Sequence, residues 1–414
     1  MTDSDTVFAG PALADIESAR LRVSKVAQVT PMESSRFLAD IIGSPVFMKC
    51  ENLQRTGSYK IRGAYNRISC LSDEEKARGV VAASAGNHAQ GVAFAARELG
   101  IKATIFMPIG VPLPKLLATR HYGAEVILRG HSVEEALRAA AEFASATGAV
   151  VIPPFDHIDV VAGQGTLGLE ILDQVPDVDT LVIPIGGGGL ISGIASAVKQ
   201  RAALEGRSIR IIGVQAANAA AYPPSLAAGE PLNVPTTPTI ADGIQVSKPG
   251  ILNFQIIREL VDEVVTVSEA DTARALLLLL ERAKQVVEPA GAVGVAAMLA
   301  GLVTNAGTTV VVLSGGNIDP LLMQRVISHG LAASDRYLKL RIMLPDRPGQ
   351  LARTAELVAE ANANVVEVQH TRHGRGLQIS EVELELHIET RGPDHRDQVI
   401  AKLRDAGYEL RIEQ

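Results

Sequence analysis

The sequence has few cysteines, no surplus of positive charge and no long apolar run, and each shortage excludes a class of protein. The two cysteines, Cys50 and Cys70, are too few for a disulfide framework or a zinc site, so we expect both to be buried, reduced and structural. Lysine and arginine number 39 against 46 aspartates and glutamates and are scattered, which argues against nucleic-acid binding. The longest apolar runs, such as ALLLLL at 275–280, are far too short to span a bilayer.

The N-terminal segment is also without the cationic and apolar regions of a signal peptide, so we expect a cytoplasmic protein. What is present is a chain of 414 residues, of which 47% are hydrophobic and 21% charged. This length and this balance are typical of a soluble globular protein with two or three domains and a large core.

Most of the chain alternates short β-branched runs with amphipathic helical stretches. The predicted strands are 79–84, 102–108, 124–130, 180–185, 209–215 and 308–314. Continuous apolar strands separated by helices predict a buried parallel sheet of the α/β class. Glycine, serine or asparagine follows several of these strands, at the sheet edge where open α/β proteins bind ligands.

The pattern changes near residue 333, after which AASDRY (332–337) is a predicted linker. The later elements are a strand (338–344), a helix (348–363), a strand (364–372), a turn (373–376), a strand (377–390), a helix (393–407) and a closing strand (408–412). This βαββαβ order is the ferredoxin-like unit. We therefore predict two domains, 1–333 and 338–414.

The tetraglycine run, Gly186 to Gly189, lies between a predicted strand and a predicted helix. Glycine backbone amides at a helix N-terminus can converge on an anion. No GKS or GKT follows, and the run is not G-x-G-x-x-G, so the pattern suits a single phosphate monoester. The alternative interpretation is a flexible turn that lets helix and sheet pack closely.

Two further loops carry polar groups after strands. SAGNHAQG (84–91) presents Ser84, Asn87 and His88 at a helix start, where helix capping and a structural histidine are the alternatives. In VLSGGNID (312–319), Ser314 ends a strand, and a polar turn is the alternative. In TGSYKIRGA (56–64), Lys60 stands in a turn between two glycines. A lysine amine, a phosphate cradle and polar strand ends together are what pyridoxal phosphate needs, because lysine forms a Schiff base with its aldehyde.

The sequence resembles the threonine dehydratase (threonine ammonia-lyase) family of fold-type II pyridoxal-phosphate enzymes over roughly residues 8 to 330. The motifs that match in family order are GSYKIRGA, SAGNHAQG, PPFDHIDVVAGQGT (153–166), GGGGL, ADG (241–243), EPAGA (288–292) and SGGNID. The resemblance implies two open parallel-sheet α/β subdomains. Where the family often has phenylalanine, this chain has Tyr59, and either ring could pack beside the cofactor.

The resemblance also implies roles for individual residues. Lys60 holds pyridoxal 5'-phosphate covalently and then acts as the base at the substrate Cα. Asn87 contacts the ring hydroxyl, and Ser314 faces the pyridine nitrogen. The groups that bind the phosphate through backbone amides are Gly186, Gly187, Gly188, Gly189 and Leu190. The residues that frame the substrate carboxylate are Ser84, Ala85, Gly86, Asn87 and His88.

Ser314 favours β-elimination over transamination, because an alcohol cannot keep the pyridine nitrogen protonated and the ring is then a weaker electron sink. The implied reaction converts L-threonine into 2-oxobutanoate and ammonia, with L-serine, which gives pyruvate, as a second substrate. Serine racemases of the same family carry a proton-transferring serine where this chain has Ala85, so we expect weak racemisation. They also use two carboxylates for a divalent cation where this chain has Gln215 and Ala221, so we expect no such metal site, although a monovalent cation held by carbonyls stays open.

The C-terminal region resembles an ACT domain, a regulatory module that usually binds small effectors, often amino acids. LPDRPGQL (344–351) matches its first strand-to-helix loop, where we expect Pro348 to begin the helix and Gly349 to leave room for a ligand. A dimerisation module without a ligand is the alternative. The exposed edges of such a small sheet predict pairing between subunits, in a homodimer or homotetramer.

Three alternatives to a regulated threonine dehydratase stay open at this point. One is an amino-acid-sensing protein that has lost catalysis, against which Lys60, Ser314 and the tetraglycine run argue. The others are a serine racemase and a β-replacement enzyme of the same fold, which Ala85 and the full motif set disfavour. The sequence does not decide between isoleucine biosynthesis and threonine breakdown.

Overall fold

The computed structural model describes residues 10–372 and 377–413. Residues 1–9, on which the expectation about a signal peptide partly rests, and the predicted turn at 373–376 lie outside the described residues. The chain divides into two compact units, the first ending at Leu322 and the second beginning at Met323. The predicted domain division at 1–333 and 338–414 stays a prediction.

Among its described residues, 10–322, the first unit contains ten strands in two sheets. The strands are β1 (Met32–Ser34), β2 (Val46–Cys50), β3 (Val80–Ala83), β4 (Ala103–Met107), β5 (Glu125–Leu128), β6 (Val150–Val151), β7 (Thr180–Pro184), β8 (Arg210–Ala216), β9 (Glu263–Val267) and β10 (Thr309–Leu313). The large sheet has the order β1-β2-β10-β7-β8-β9, and the small sheet has the order β5-β4-β3-β6. Neighbouring strands are parallel except β1, which pairs antiparallel with β2.

Helices connect most of the consecutive strands in the described residues. They are α1 (Leu13–Val23), α2 (Arg36–Ile42), α3 (Lys60–Ser69), α4 (Asp73–Arg78), α5 (Asn87–Glu98), α6 (Leu113–His121), α7 (Val133–Thr147), α8 (Ile158–Gln174), α9 (Gly189–Leu204), α10 (Tyr222–Ala228), α11 (Ile251–Leu260), α12 (Glu269–Leu278), α13 (Pro289–Leu299), α14 (Pro320–Ala333), α15 (Gln350–Glu360) and α16 (Pro393–Asp405). The predicted parallel α/β class is confirmed. β1, β2, β6 and β9 are not among the strands that the sequence predicts.

The core of the large sheet explains why β7 and β10 form its centre. Every residue of both strands is buried, and Leu181, Ile183 and Val310 pack with Ile194 of α9 in one apolar cluster. Burying one such side chain stabilises the fold by about 1.5–3 kcal/mol. A strand covered on both faces has no solvent side, so its sequence shows continuous apolar residues rather than alternation.

The second unit has the predicted βαββαβ order. Its strands are β11 (Tyr337–Pro345), β12 (Asn364–Thr371), β13 (Glu381–Glu389) and β14 (Leu410–Glu413), arranged β12-β13-β11-β14 with all pairs antiparallel. Alternate residues of β11, such as Leu340 and Ile342, are buried in a cluster with Leu357 of α15 and Leu403 of α16. One face of this sheet is thereby covered by the two helices.

Three observations complete the fold. The prediction that Pro348 begins a helix is wrong: α15 begins at Gln350, because Gly349 has a φ of 89°, which no right-handed helix accommodates. The prediction that Cys70 is buried is also wrong, since this residue follows the last turn of α3 and is exposed, whereas Cys50 is buried in β2. Across residues 10–372 and 377–413, no helix has the length and apolarity to cross a bilayer.

Candidate active site

Lys60 is the first residue of α3 and lies between loops from both sheets of the first unit. Its amine (Nζ) donates to the carbonyl oxygen of Pro154 at 3.0 Å, and it lies 5.2 Å from the centre of the Tyr59 ring. Pro154 follows β6 of the small sheet, whereas the backbone N–H of Tyr59 donates to the carbonyl of Ser314, which follows β10 of the large sheet. The amine thus lies where the carboxyl ends of the two sheets approach each other.

A cluster of four buried charges fixes the start of α3. The guanidinium of Arg62, two residues after Lys60, donates twice to Glu51, through Nε at 2.8 Å and Nη2 at 2.7 Å, and lies 2.9 Å from Glu170. Lys49 donates to the same Glu170 at 2.6 Å. Burial alone would raise the pKa of Glu51, but the neighbouring Arg62 lowers it below its usual value. The four side chains thereby hold the helix that begins at Lys60 against β2 and α8.

The tetraglycine run forms the turn from β7 into α9, as its position in the sequence predicts. Gly188 precedes the first helical residue and has a φ of 104°, in the region that favours glycine. The hydroxyl of Tyr222, which is fully buried, donates to the carbonyl of Gly187 at 3.1 Å. The backbone amides of the first turn of α9, which follows β7, have no intrahelical partners, as in any helix.

The SAGNHAQG loop begins α5 at Asn87. The hydroxyl of Ser84 accepts the backbone N–H of Gly86 at 3.2 Å, so this side chain shapes the loop. His88 is buried, with its ring nitrogen Nε2 2.8 Å from the carbonyl of Ile152, and burial, aided by Lys60, lowers its pKa to about 3. The imidazole is therefore neutral and turned into the protein. His88 can present its backbone amide, but not its ring, to a ligand at this loop.

Asn87 joins the small sheet to the large one. Its side-chain amide donates to Glu288 Oε1 at 2.6 Å and accepts from Asn317 Nδ2 at 2.8 Å. Glu288 is buried, and burial together with the nearby Asp242 carboxylate raises its pKa to about 7. A second link lies at the rim, where Lys115 of α6 pairs with Asp242 at 2.7 Å.

The residues present fit pyridoxal phosphate. The turn at Gly188 offers unpaired helix amides for a phosphate, a position where any Cβ would collide with the Tyr222 hydroxyl. The buried hydroxyl of Ser58, two residues before Lys60, has no hydrogen-bond partner among the described residues. A buried polar atom without a partner is rare in proteins, and it is expected where a polar ligand completes the site.

Gln215, at the position expected to lack a divalent-cation site, makes hydrogen bonds to the neighbouring backbone. Gln215 is fully buried at the end of β8; its Oε1 accepts the backbone N–H of Tyr222 at 2.9 Å, and its Nε2 donates to the carbonyl of Ala219 at 3.4 Å. The amide thus satisfies both a donor and a carbonyl with its own atoms. No cluster of three or more His, Cys, Asp or Glu side chains suited to a metal occurs in residues 10–372 and 377–413.

Several residues at the site were not identified from the sequence. Glu288 and Asn317 stand inside the quoted motifs EPAGA and SGGNID. Their membership of these motifs was the signal that could have identified them. Phe155 stands in the motif PPFDHIDVVAGQGT, whereas Tyr222 lies in none of the quoted motifs. Phe155 packs against the tetraglycine turn, where a Cβ at Gly189 would come within 2.9 Å of its Cβ. These contacts depend on pairs of residues that are far apart in the chain.

Two families of known proteins match this chain, each over a different part. Residues 23–315 match the family described as "Pyridoxal-phosphate dependent enzyme", and residues 339–407 match the family described as "ACT domain". An L-threonine ammonia-lyase of Geobacter sulfurreducens is 49% identical over 394 residues, which cover 95% of this chain and 97% of that protein. An L-threonine ammonia-lyase of Thermotoga maritima is 46% identical over 400 residues, covering 97% and 99%.

Among solved structures, maize serine racemase is similar with a TM-score of 0.73 and 37% identity, over 78% of this chain and 99% of that one. The share of this chain that it leaves out is close to the length of the second unit. The bacterial relatives, by contrast, match nearly from end to end.

Proposed function

Since this chain belongs to the family of pyridoxal-phosphate-dependent enzymes and carries an ACT domain, we propose that it is an L-threonine ammonia-lyase. It converts L-threonine into 2-oxobutanoate and ammonia, with L-serine as a second substrate. The observation that carries this proposal is the position of the Lys60 amine, 3.0 Å from Pro154 O and between the strand ends that carry the glycine-rich and polar loops of the two sheets. The bacterial L-threonine ammonia-lyases that match almost the whole chain support the choice of substrate.

We assign the cofactor contacts as follows. Lys60 holds pyridoxal phosphate covalently, and the ring of Tyr59 packs beside it. Asn87 donates to the ring hydroxyl, and Ser314 faces the ring nitrogen. The phosphate is bound by the backbone amides of Gly186, Gly187, Gly188, Gly189 and Leu190. These assignments agree with the helix start at Gly189 and with the Tyr59–Ser314 hydrogen bond.

When bound, pyridoxal phosphate withdraws electrons from the Cα of an amino acid joined to it. The Lys60 amine takes the Cα proton as general base. The hydroxyl of Ser314 is too weak an acid to protonate the ring nitrogen, which favours loss of the β-hydroxyl over transamination. The substrate loses a proton and hydroxide, equivalent to one water, and regains one water when the released enamine hydrolyses to the oxo acid and ammonia.

The substrate carboxylate lies, in this proposal, at the start of α5. The groups that frame it are Ser84, Ala85, Gly86, Asn87 and His88. Backbone amides of the first turn of a helix are donors without intrahelical partners, and the helix dipole favours an anion there. For His88 the contribution is restricted to the backbone, because its buried ring bonds to Ile152.

Serine racemase is the second candidate, and the similarity to the maize enzyme favours it. Racemisation needs a group that delivers a proton to the face opposite the lysine. Ala85 cannot transfer a proton, and Ser84, the neighbouring hydroxyl, accepts the Gly86 N–H. Elimination is therefore favoured over racemisation. A β-replacement enzyme is disfavoured by the full set of dehydratase motifs.

The deciding experiment is a steady-state assay of the purified protein saturated with pyridoxal phosphate, on L-threonine and on L-serine, followed by 2-oxo-acid formation. We expect a visible absorbance band of bound cofactor and turnover of L-threonine with the higher kcat/KM. A protein with the band that forms D-serine faster than pyruvate is a racemase. A protein without the band at saturating cofactor is the amino-acid-binding alternative.

We propose that the ACT domain confers allosteric control by a small effector, an amino acid or a nucleotide, and that subunits pair through it in a homodimer or homotetramer. β12 is an edge strand whose Val366 and Val368 are 57% and 40% exposed, which leaves backbone and apolar surface for a partner. A Cβ atom added at Gly349 would meet nothing within 4 Å, which leaves open space beside the loop before α15 for a ligand. The cytoplasmic location stays a prediction.

Truncation after Ser334 tests this control. We expect an active enzyme that no longer responds to isoleucine, valine or AMP, whichever of these changes the rate of the full-length enzyme. Effector control exists only if the effector binds two states with different affinity, so the response must vanish with its binding site. A truncated enzyme that keeps the full response would place the regulatory site outside the ACT domain.

A further inference from the structure

Glu288 reaches the site across a glycine. It precedes the first residue of α13, its backbone N–H donates to the carbonyl of Gly315 at 3.0 Å, and its carboxyl group is buried. A Cβ at Gly315 would collide with Glu288 Oε1 and come within 3.2 Å of Asn87 Nδ2. The carboxyl–amide contact of 2.6 Å between Glu288 and Asn87 therefore passes directly over the residue that follows Ser314.

A chain of hydrogen bonds fixes which way the Asn87 amide points. Asn317 donates from Nδ2 to the backbone carbonyl of Thr56 at 2.8 Å, and a carbonyl can only accept. The same Nδ2 donates to Asn87 at 2.8 Å, so the oxygen of Asn87 must face Asn317 and its nitrogen must face Glu288. One hydrogen of Asn87 Nδ2 then bonds Glu288, and the other has no partner among the described residues.

The surroundings of Glu288 favour a carboxyl group that accepts a hydrogen bond over an ionised carboxylate without a partner. Burial and the Asp242 carboxylate raise its pKa, whereas Lys115, Asn87 and Lys60 oppose that rise. A carboxyl oxygen accepts a hydrogen bond in both its protonated and its ionised form. The contact to Asn87 therefore persists through the pH range in which this group titrates.

We infer that Glu288 is a positioning residue for the proposed reaction. It takes one N–H of Asn87 and so directs the remaining N–H at the cofactor ring that Lys60 holds, while Asn317 fixes the other end of the amide. This inference rests on the proposed function. It assigns to the acidic residue of EPAGA a task that neither the lysine nor the phosphate loop performs.

The test compares variants of the full chain by titrating the cofactor-free protein with pyridoxal phosphate and recording the absorbance maximum of the bound cofactor. Glu288→Ala should shift that maximum and weaken Kd by roughly tenfold, the effect of losing about one hydrogen bond. Glu288→Gln keeps an acceptor oxygen, so it should retain the wild-type maximum and Kd. Glu269→Ala is the control: it removes another carboxylate with two hydrogen bonds, to Thr239 and Ile240, and should leave the maximum unchanged.

The outcomes separate a positioning role from a structural one. The inference is overturned if Glu288→Ala binds the cofactor with wild-type Kd and absorbance, or if Glu288→Gln is as impaired as Glu288→Ala. If Glu288→Ala does not fold, Asn317→Ala decides: it frees the other end of the Asn87 amide and should shift the maximum, and an unchanged maximum refutes the inference. A wild-type protein that binds no pyridoxal phosphate refutes the proposed function itself.

Discussion

Gly188→Ala should weaken pyridoxal-phosphate binding severely, although alanine adds only one methyl group. Gly188 has a φ of 104°, outside the region that an L-residue adopts readily. A Cβ there would collide with the Tyr222 hydroxyl and would lie 2.8 Å from Asn253 Cβ and 3.0 Å from Ile257 Cδ1. The methyl group must therefore displace the side chain that holds the Gly187 carbonyl.

The size of the effect follows from three contributions. The left-handed backbone costs a non-glycine residue about 1–2 kcal/mol. Overpacking costs about 1–3 kcal/mol. Loss of the bond from Tyr222 to Gly187 costs about 1 kcal/mol. The free loop can relax, but phosphate binding requires its original geometry, so most of the cost appears as lost binding free energy. A loss of about 3 kcal/mol corresponds to a Kd roughly a hundredfold weaker.

The assay is equilibrium titration of cofactor-free protein with pyridoxal phosphate, together with thermal unfolding of the cofactor-free form. Gly206→Ala is the matched control, because Gly206 has a φ of 68° in the same unit but nothing within 4 Å of its Cβ position. Gly206→Ala should lower the thermal stability of the protein, because its backbone is also left-handed, and should leave the Kd for pyridoxal phosphate unchanged. Wild-type affinity in Gly188→Ala would show that the phosphate is bound elsewhere.

The remaining predictions concern chemistry and pH. Lys60→Ala should abolish L-threonine turnover and the visible absorbance of bound cofactor, and near-normal elimination by this variant would contradict the assignment of the base. Ala85→Ser should raise D-serine formation relative to pyruvate formation, because it supplies a hydroxyl on the second face; an unchanged ratio would show that position 85 does not control it. Burial raises the pKa of Glu288 from its ordinary value of 4.5 to about 7 in the folded protein. The stabilisation that protonated Glu288 gives the cofactor-free protein should therefore be complete below pH 4.5 and should be lost as the pH rises through about 7. Glu288→Gln should remove that loss, and parallel stability profiles of the two proteins would disprove it.

The parts of this protein that could be predicted from the sequence are the elements whose pattern lies within a run of consecutive residues. The apolar runs of β7 and β10 and the βαββαβ order of the second unit belong to this class, and both are confirmed. β1, which has three residues, and β6, which has two, are too short to form a pattern, so their strands became visible only through pairing. Pro348 was misplaced because a proline signal for a helix start was followed by a glycine at positive φ.

The site divides in the same way. Lys60, the tetraglycine turn and Ser314 stand out in sequence because glycine and polar residues interrupt apolar strands. Glu288 and Asn317 lie in recognisable motifs, but their link to Asn87 spans 201 and 230 residues. No local period or spacing encodes such a contact, since it depends on how two sheets approach each other. The roles of the individual residues stay predictions until variants are measured.

The four buried charges near Lys60 show that the relative positions of charged side chains can matter as much as which residues carry them. Lys49 and Glu51 are 0% exposed, Arg62 is 2% and Glu170 is 7% exposed, so none of the four is solvated to any useful extent. An uncompensated charge at such depth costs several kcal/mol, but here each cation lies within 3 Å of at least one anion and the charges of the four groups cancel. The remaining donors of Lys49 bond Thr30 and Gln174. Removing any one of them leaves a net charge in the buried cluster, so the cluster tolerates few arrangements. Because Arg62 belongs to the first turn of α3, the arrangement that satisfies the charges is also the one that sets where Lys60 begins its helix.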